Sequence, residues 1–122
     1  MAKLDGWETD PAALRELLAR LAREYEVPPV WITENGVPDG SIDDHARVEY
    51  LRAHLEALVA AIADGADVRR YFVWSLLDNF EWELGYAVRF GLVHVDYESQ
   101  RRTPKRSALW YRDLIEDVRR HR

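Results

Sequence analysis

The chain contains the segment Val30-Trp31-Ile32-Thr33-Glu34-Asn35-Gly36 directly after a double proline. β-Branched and aromatic residues bounded by proline and glycine are typical of a buried strand, and this one ends in a carboxylate, an amide and a glycine. In parallel α/β folds, chemistry sits at the carboxyl ends of the strands. We therefore predict a strand over residues 30–34, with Glu34 in a candidate active position and Asn35 beside it. A loop glutamate followed by a turn is the plainer alternative for this segment alone.

A second continuous apolar run, Tyr-Phe-Val-Trp-Ser-Leu-Leu, occupies residues 71–77. It is too short for a helix of its own, and such runs are typical of strands buried on both faces of a parallel sheet. Between the two runs, Asp43 or Asp44 can cap a helix that Gly65 ends. Its apolar stripe consists of Val48, Leu51, Leu55, Leu58, Val59 and Ile62. The order strand, helix, strand predicts a βαβ unit in an α/β fold.

Further helices are expected on both sides of this unit. Asp10 can cap a helix with Pro11 at its first position, and leucines at helical spacing extend it to about residue 25. Residues 36–44 are a turn-rich loop, and residues 92–97 form a candidate extended piece. Thr103-Pro104 is predicted to start a last helix, which packs through Ala108, Leu109, Tyr111, Leu114, Ile115 and Val118.

The composition fits one soluble domain and argues against several functions. The chain has 122 residues, of which 48% are hydrophobic and 32% charged, with a net charge of −5. Nucleic-acid binding is disfavoured because a phosphate backbone needs a basic footprint. Without cysteine there is no disulfide or thiol nucleophile, no apolar run is long enough to span a membrane, and no signal peptide is visible. We expect a cytoplasmic protein, with His45 and His54 on the surface rather than on a metal.

Carboxylates and aromatic residues also follow the second run, in residues 78–86. Sugars present apolar C–H faces that stack on indole, and hydroxyls that need directed acceptors and donors. A carbohydrate site is therefore predicted, with four candidate residues: Trp74, Glu81, Trp82 and Phe90. Plain core packing competes for each of them and is favoured for Trp74 by its place inside a strand. Phe80 and Tyr71 are assigned to the core.

Four segments of the chain form a set. They are Ile32-Thr33-Glu34-Asn35-Gly36, Trp74-Ser75-Leu76-Leu77-Asp78-Asn79-Phe80-Glu81-Trp82, Gly85-Tyr86 and Arg89-Phe90-Gly91-Leu92-Val93-His94-Val95-Asp96-Tyr97. Together, and in this order, they closely resemble the C-terminal part of family 1 glycoside hydrolases, the β-glucosidases and their relatives. The resemblance runs from about Gly6 to Ile115. It implies a retaining glycosidase on a (β/α)8 TIM barrel, which needs about 250 residues when complete.

The resemblance also assigns roles to the candidate residues. Glu34 resembles the catalytic nucleophile at the end of the seventh barrel strand, and Trp74 the indole platform under the sugar at the end of the eighth. Glu81 matches the carboxylate that binds the 4- and 6-hydroxyls, Trp82 the residue contacting the 3-hydroxyl, and Phe90 an aromatic wall of the pocket. Since a carboxylate at Glu81 would repel a 6-phosphate, the implied substrate is an unphosphorylated β-glycoside. The chemistry implies neither a metal nor a cofactor.

One part of the family's machinery has no match in the sequence. Retaining hydrolysis needs a nucleophile and an acid/base about 5–5.5 Å apart, and the family's acid/base lies in an Asn-Glu-Pro motif that these 122 residues lack. We therefore expect residues 1–122 to be a C-terminal fragment of one catalytic domain, holding the last two βα units and a preceding helix. Such a fragment is expected to be inactive until a complementary N-terminal barrel fragment joins it.

Two alternatives remain open at this point. One is a non-catalytic module that binds sugar through its aromatic loop or associates with itself through exposed strand edges. The other is a structural piece without a ligand, in which the family's site residues are relics. Apolar strands with unpaired edges favour association in either case.

Overall fold

A computed structural model describes residues 8–121 of the chain. In these residues the elements are α1 (Pro11–Glu24), β1 (Val30–Asn35), α2 (His45–Ala63), β2 (Val68–Val73), β3 (Val93–Val95), β4 (Arg102–Pro104) and α3 (Arg106–Arg120), with a 3₁₀ turn at Trp82–Leu84. This order confirms the predicted helix, strand, helix, strand, helix sequence. No helix in the described part of the chain is long and apolar enough to cross a membrane.

The predicted βαβ unit is present. β1 and β2 are parallel neighbours, with Ile32 opposite Tyr71 and Asn35 opposite Val73, and α2 forms the crossover between them. The second strand was predicted over residues 71–77, but it begins at Val68 and ends at Val73. The chain then leaves this sheet, because residues 75–78 form backbone hydrogen bonds with residues 90–93 instead. Leu77 forms an isolated parallel bridge with Val93.

Helices cover only one face of this sheet. The core on that face is formed by Leu18, Leu58, Ala61 and Ala66, against which Ile32 and other strand residues pack. On the opposite face, Trp31 is 53% exposed and Phe72 is 47% exposed. The expectation that both strands are buried on both faces is therefore wrong for this chain. In residues 8–121 no further layer covers this face, on which the Arg70 guanidinium lies 4.8 Å from the ring centroid of Trp31.

The helix ends follow local chemistry, with one correction. The Asp10 carboxylate accepts a hydrogen bond from the backbone N–H of Ala13 at 3.1 Å, which caps α1 as predicted. The last helix begins at Arg106 rather than at Thr103-Pro104. Those two residues pair instead with β3, an antiparallel partner close enough in sequence to form a small hairpin-like sheet. Two of the residues assigned to the packed face of α3 are also substantially exposed, Leu109 and Val118.

Four single-residue assignments can be judged in the same way. His45 is exposed as predicted, whereas His54 is only 5% exposed and was wrongly placed on the surface. Its ring stacks on Tyr50 with the centroids 3.9 Å apart, and Nδ1 lies 2.8 Å from the carbonyl oxygen of Tyr50. Phe80, assigned to the core, is 56% exposed, whereas Tyr71 packs against the core. Residues 8–121 contain no group of histidine and carboxylate side chains that could hold a metal.

Candidate active site

The carboxyl ends of β1 and β2 lie side by side and bring Glu34 and Trp74 to one edge of the sheet. The backbone N–H of Trp74 donates to the carbonyl oxygen of Asn35 at 3.0 Å. A Cβ on Gly36 would lie 2.0 Å from the carbonyl oxygen of Trp74, so only glycine fits this close approach of two backbones. Glu34 itself is exposed at this edge.

The side chain of Asn35 turns to the helix-covered side and is bonded at both ends. Its Nδ2 donates to the hydroxyl of Tyr50 on α2 at 3.1 Å. The hydroxyl of Tyr71 on β2 donates to its Oδ1 at 2.7 Å. Asn35 thus fixes the end of β1, while Glu34 beside it stands on the accessible side.

The residues after β2 bring the second group of candidates to the same edge. The indole Nε1–H of Trp74 donates to Oε2 of Glu81 at 3.3 Å, and both side chains are half-buried. Trp82 follows in the 3₁₀ turn and is 81% exposed. Its φ of 42° lies in the left-handed region, which is strained for a bulky residue. Strained conformations of this kind cluster at functional sites. An exposed indole on a strained turn fits a binding role better than a packing role.

Phe90 lies beneath this group rather than in the open. It is 4% exposed, and its carbonyl oxygen accepts a hydrogen bond from the backbone N–H of Ser75 at 3.1 Å. The structure therefore brings Trp74 and Glu81 into contact, presents Trp82 beside them, and buries Phe90 under the segment that follows Trp74.

Aromatic contacts order the loop that carries Glu81 and Trp82. Phe80 and Tyr86 meet edge to face with centroids 5.4 Å apart, and Tyr86 meets Tyr97 at 4.7 Å. The guanidinium of Arg89 lies 4.4 Å from the ring centroid of Tyr97. These three exposed or half-buried rings and the Arg89 guanidinium thus pack against one another at the surface, which explains why Phe80 is not in the core.

The buried guanidinium of Arg47 contacts both loops that carry candidate site residues, the loop after β1 and the loop after β2. Arg47, fully buried on α2, binds the Asp44 carboxylate at 2.8 Å. It also donates to four backbone carbonyl oxygens, those of Val37, Asp39, Arg89 and Gly91. Two of these carbonyls belong to the loop after β1 and two to the segment after the aromatic loop. Arg47 therefore ties the two site loops to one helix.

A second buried carboxylate completes the network. Asp78 accepts hydrogen bonds from Arg89 at 2.7 Å, from the Lys105 ammonium at 3.1 Å and from the backbone N–H of Gly91 at 2.9 Å. Burial alone would raise the pKa of Asp78, but the Arg89 hydrogen bond and the charge of Lys105 outweigh it and lower that pKa. Burial and the charge of Arg47 lower the pKa of Lys105, although Asp78 opposes this. The loop from Asp78 to Gly91 is consequently closed at its base by ionic hydrogen bonds.

Neither this network nor the contacts of Tyr50 and Tyr71 with Asn35 were predicted from the sequence. A signal was present in α2, where Arg47, Leu51, His54 and Leu58 share one helical face at steps of three and four residues. A charged and a titratable side chain on an otherwise apolar stripe indicate buried polar partners. The partners themselves lie far along the chain, such as Ser107, which binds Asp44 from 63 residues away.

The family follows from comparison with known proteins. A family model described as "Glycosyl hydrolase family 1" matches residues 2–119. The chain belongs to glycosyl hydrolase family 1. The resemblance drawn from the sequence motifs is confirmed.

Family 1 relatives match nearly all of this chain, but only part of their own length. A bifunctional β-D-glucosidase/β-D-fucosidase of Bifidobacterium breve is 51% identical over 92% of this chain and 27% of the relative. β-Glucosidase A of Thermotoga maritima is 44% identical, again over 92% of this chain and 27% of the relative. The chain thus spans about a quarter of the length of the relatives it matches.

Solved family 1 structures share the fold. A psychrophilic β-glucosidase from Micrococcus antarcticus has a TM-score of 0.88 at 51% identity, covering 94% of this chain and 26% of that one. The Thermotoga maritima family 1 β-glucosidase has a TM-score of 0.87 at 43% identity, covering 93% of this chain and 28% of that one. Another structure of β-glucosidase from that organism is a complex with deoxynojirimycin. These are TIM-barrel enzymes, and the chain forms part of that architecture with few of its strands.

Proposed function

We propose that this chain supplies the nucleophile and half of the sugar pocket of a retaining β-glycosidase. In this proposal β1 and β2 are the seventh and eighth strands of the barrel, and the remaining strands lie outside these 122 residues. The observation that carries the proposal is the meeting of Glu34, Trp74 and Glu81 at one strand-end edge, on a chain of family 1. That edge is where barrel enzymes hold their catalytic groups.

Glu34 is the proposed nucleophile. Its carboxylate attacks the anomeric carbon of the glycoside, a C–O bond forms to the protein, and the bond to the leaving oxygen breaks. The leaving oxygen takes its proton from an acid/base that the complementary part of the barrel supplies. Water then displaces the sugar from Glu34 as the same group takes back a proton. General acid assistance contributes about 10²–10⁴-fold, so the chain alone lacks useful activity.

Trp74, Glu81 and Trp82 are the proposed sugar-binding residues, and Phe90, which is 4% exposed, is proposed as the aromatic wall behind them. The Trp74 indole N–H occupies one acceptor site of Glu81. A carboxylate has about four such sites, so Glu81 retains acceptors for sugar hydroxyls. Its negative charge disfavours a 6-phosphate, which makes an unphosphorylated β-glycoside the proposed substrate. The β-glucosidase relatives support this substrate class.

The uncovered sheet face supports completion by more barrel strands. Trp31 and Phe72 stand exposed on the side opposite the helices, which is the inner side in a (β/α)8 barrel. In the described residues β1 and β2 pair only with each other, which leaves one hydrogen-bonding edge on each. A barrel removes both edges by closure.

Complementation tests the proposal. The chain is mixed with the part of the Bifidobacterium breve relative that lies outside their match, called the complementary portion below, and hydrolysis of an aryl β-glucoside is followed. We expect hydrolysis by the mixture and by neither part alone. Glu34→Gln should abolish it, whereas Glu26→Gln, a change of an exposed glutamate in the loop before β1, should not. Equal hydrolysis by the chain alone, or activity that survives Glu34→Gln, would overturn the proposal.

A second candidate function rests on the exposed turn. Trp82 is 81% exposed and is available for stacking on a sugar without any catalytic step. A non-catalytic sugar-binding module predicts that the chain alone binds a β-glucoside, that Trp82→Ala removes this binding, and that complementation gives no hydrolysis. Isothermal titration of the chain and of the variant distinguishes the two functions.

A further inference from the structure

The two hydrogen bonds that join the Asn35 side chain to Tyr71 and Tyr50, called the clamp below, affect the position of Glu34. We propose that Tyr50 and Tyr71 are positioning residues, which set the orientation of the nucleophile Glu34 by holding the side chain of Asn35. The inference rests on the proposed function of Glu34. It adds two residues, from α2 and β2, that do not touch the substrate.

The first step is the geometry of the amide. Tyr71 donates to Oδ1 of Asn35 at 2.7 Å, and Nδ2 of Asn35 donates to Tyr50 at 3.1 Å. An amide bonded at both ends cannot rotate without losing a hydrogen bond in a half-buried site, where an unsatisfied group costs about 1–3 kcal/mol. The two tyrosines come from different elements, so the clamp fixes β1 against both α2 and β2.

The second step links Asn35 to its neighbour. Successive side chains along a strand point to opposite faces, and a slip by one residue exchanges the faces. Asn35 is half-buried on the helix side, and Glu34 is exposed. The pairing of β1 with β2 is irregular between Ile32 and Asn35, so these two residues both face the helices although they are three positions apart. At this irregular point the clamp is the side-chain contact that keeps Asn35 on the helix side of the sheet and Glu34 at the accessible edge.

The third step is the rigidity of the tyrosines. Tyr50 stacks on the buried His54, with an angle of 28° between the rings, and its carbonyl oxygen lies 2.8 Å from Nδ1 of His54. Tyr71 packs against the core cluster that contains Leu58. Burial raises the pKa of both Tyr50 and Tyr71, so both hydroxyls stay protonated at neutral pH.

Kinetics of covalent labelling test whether the clamp positions Glu34. The chain with its complementary portion is treated with 2,4-dinitrophenyl 2-deoxy-2-fluoro-β-glucoside, whose good leaving group needs no acid assistance. A displacement of about 1 Å costs up to about 10²-fold in rate. We expect Tyr71→Phe and Tyr50→Phe to lower the saturated labelling rate constant about tenfold. The half-saturating concentration and the final labelled fraction should stay within twofold.

The control is Tyr111→Phe. Tyr111 is a half-buried tyrosine on α3 near Tyr71, but its hydroxyl is not part of the clamp. We expect wild-type labelling from it. A merely structural role for Tyr50 or Tyr71 would lower the labelled fraction and leave the rate constant of the folded molecules unchanged. A rate constant equal to that of Tyr111→Phe would overturn the inference.

A double-mutant cycle shows whether Tyr71 acts through Asn35. If it does, Tyr71→Phe should have little further effect on the rate constant in an Asn35→Ala background, because contacting residues are not additive. Additive effects would contradict the inference.

A measurement without activity separates this inference from the proposed function. In the ¹⁵N spectrum of the chain, the Asn35 side-chain amide should exchange slowly with solvent and should exchange faster in Tyr71→Phe, but not in Tyr111→Phe. Failure of the wild-type mixture to label would contradict the role of Glu34 as nucleophile, and this amide would then decide the clamp. Unchanged exchange in Tyr71→Phe would refute the clamp whatever the labelling result.

Discussion

Loss of the buried Arg47 guanidinium is expected to lower the stability of the fold strongly. The perturbation is Arg47→Met, which keeps an unbranched side chain on α2 but removes the guanidinium. Five hydrogen bonds are lost, four to backbone carbonyls and one to the Asp44 carboxylate. The site loops after β1 and β2 lose their common attachment.

The magnitude depends on which acceptors keep another donor. Asp39 O still accepts from Lys105, Arg89 O from the N–H of Asp39, and Asp44 from Ser107. For the carbonyls of Val37 and Gly91, Arg47 is the donor in the described structure, and each such group left unsatisfied costs about 1–3 kcal/mol. The buried Asp44 also loses its countercharge. Breaking a buried ion pair typically costs about 3–5 kcal/mol, and we expect a loss of that size here.

Urea unfolding followed by tryptophan fluorescence measures the effect. The matched control is Arg52→Met on the same helix. Arg52 is half-exposed, with Glu49 at 3.7 Å and the Trp110 ring centroid at 5.9 Å, so its loss should cost less than about 1 kcal/mol. A free energy of unfolding for Arg47→Met within about 1 kcal/mol of that for Arg52→Met, at an unchanged denaturant slope, would refute the role of Arg47 in holding the two loops.

Three further predictions concern packing and pH. Gly36→Ala should destabilise the fold by about 1–3 kcal/mol, because its Cβ would lie 2.0 Å from the Trp74 carbonyl oxygen. The control is Gly40→Ala, whose Cβ would meet only Arg89 Cδ at 3.5 Å. Equal urea midpoints for the two variants would be evidence against the close approach at Gly36. Burial lowers the pKa of His54, so the unfolded state binds more protons than the folded state below about pH 6.5. The free energy of unfolding should therefore fall as the pH drops below that value. In His54→Phe this fall, measured by urea unfolding at each pH, should be smaller. The lowered pKa of Asp78 stabilises the fold above about pH 4, and this part is lost as pH falls further through the folded-state pKa; an acid unfolding curve that Asp78→Asn leaves unchanged would contradict this.

The main strand–helix–strand order could be predicted because its signals are local. Pro28-Pro29 and Gly36 bound the first strand, Gly65 ends α2 with a φ of 105°, and the apolar residues between them follow strand or helix periodicity. The resemblance to family 1 was likewise carried by short, contiguous motifs. Local signals of this kind need no knowledge of distant partners.

What could not be predicted depends on contacts between distant residues. Thr103-Pro104 has the composition of a helix start, but pairing with β3 outweighs that propensity. Asp44 was correctly considered as a helix cap, yet its carboxylate binds Ser107 and Arg47 instead of a backbone N–H of α2. Exposure of Trp31 follows from the number of strands present, which periodicity along the chain does not report.

The candidate site also combines residues that local motifs predict with contacts that depend on distant parts of the chain. The sequence was sufficient to propose Glu34, Trp74, Glu81, Trp82 and Phe90, because their motifs are contiguous. The contact between Trp74 and Glu81 and the burial of Phe90 depend on how the loop after β2 folds back. Tyr50 and Tyr71 were not recognised as site-related, since neither lies in the segment that carries the residue they hold.

The most direct test of the central claim is to identify the residue labelled by an activated 2-fluoro-glucoside, by intact mass followed by peptide mapping. The retaining mechanism leaves a glycosyl ester on the nucleophile, and the fluorine slows its hydrolysis. We predict one added sugar, on Glu34, when the complementary portion is present, and none on the chain alone. A label on another residue would contradict the assignment of the nucleophile, and a label on Glu34 in the chain alone would show that the site needs no further barrel strands.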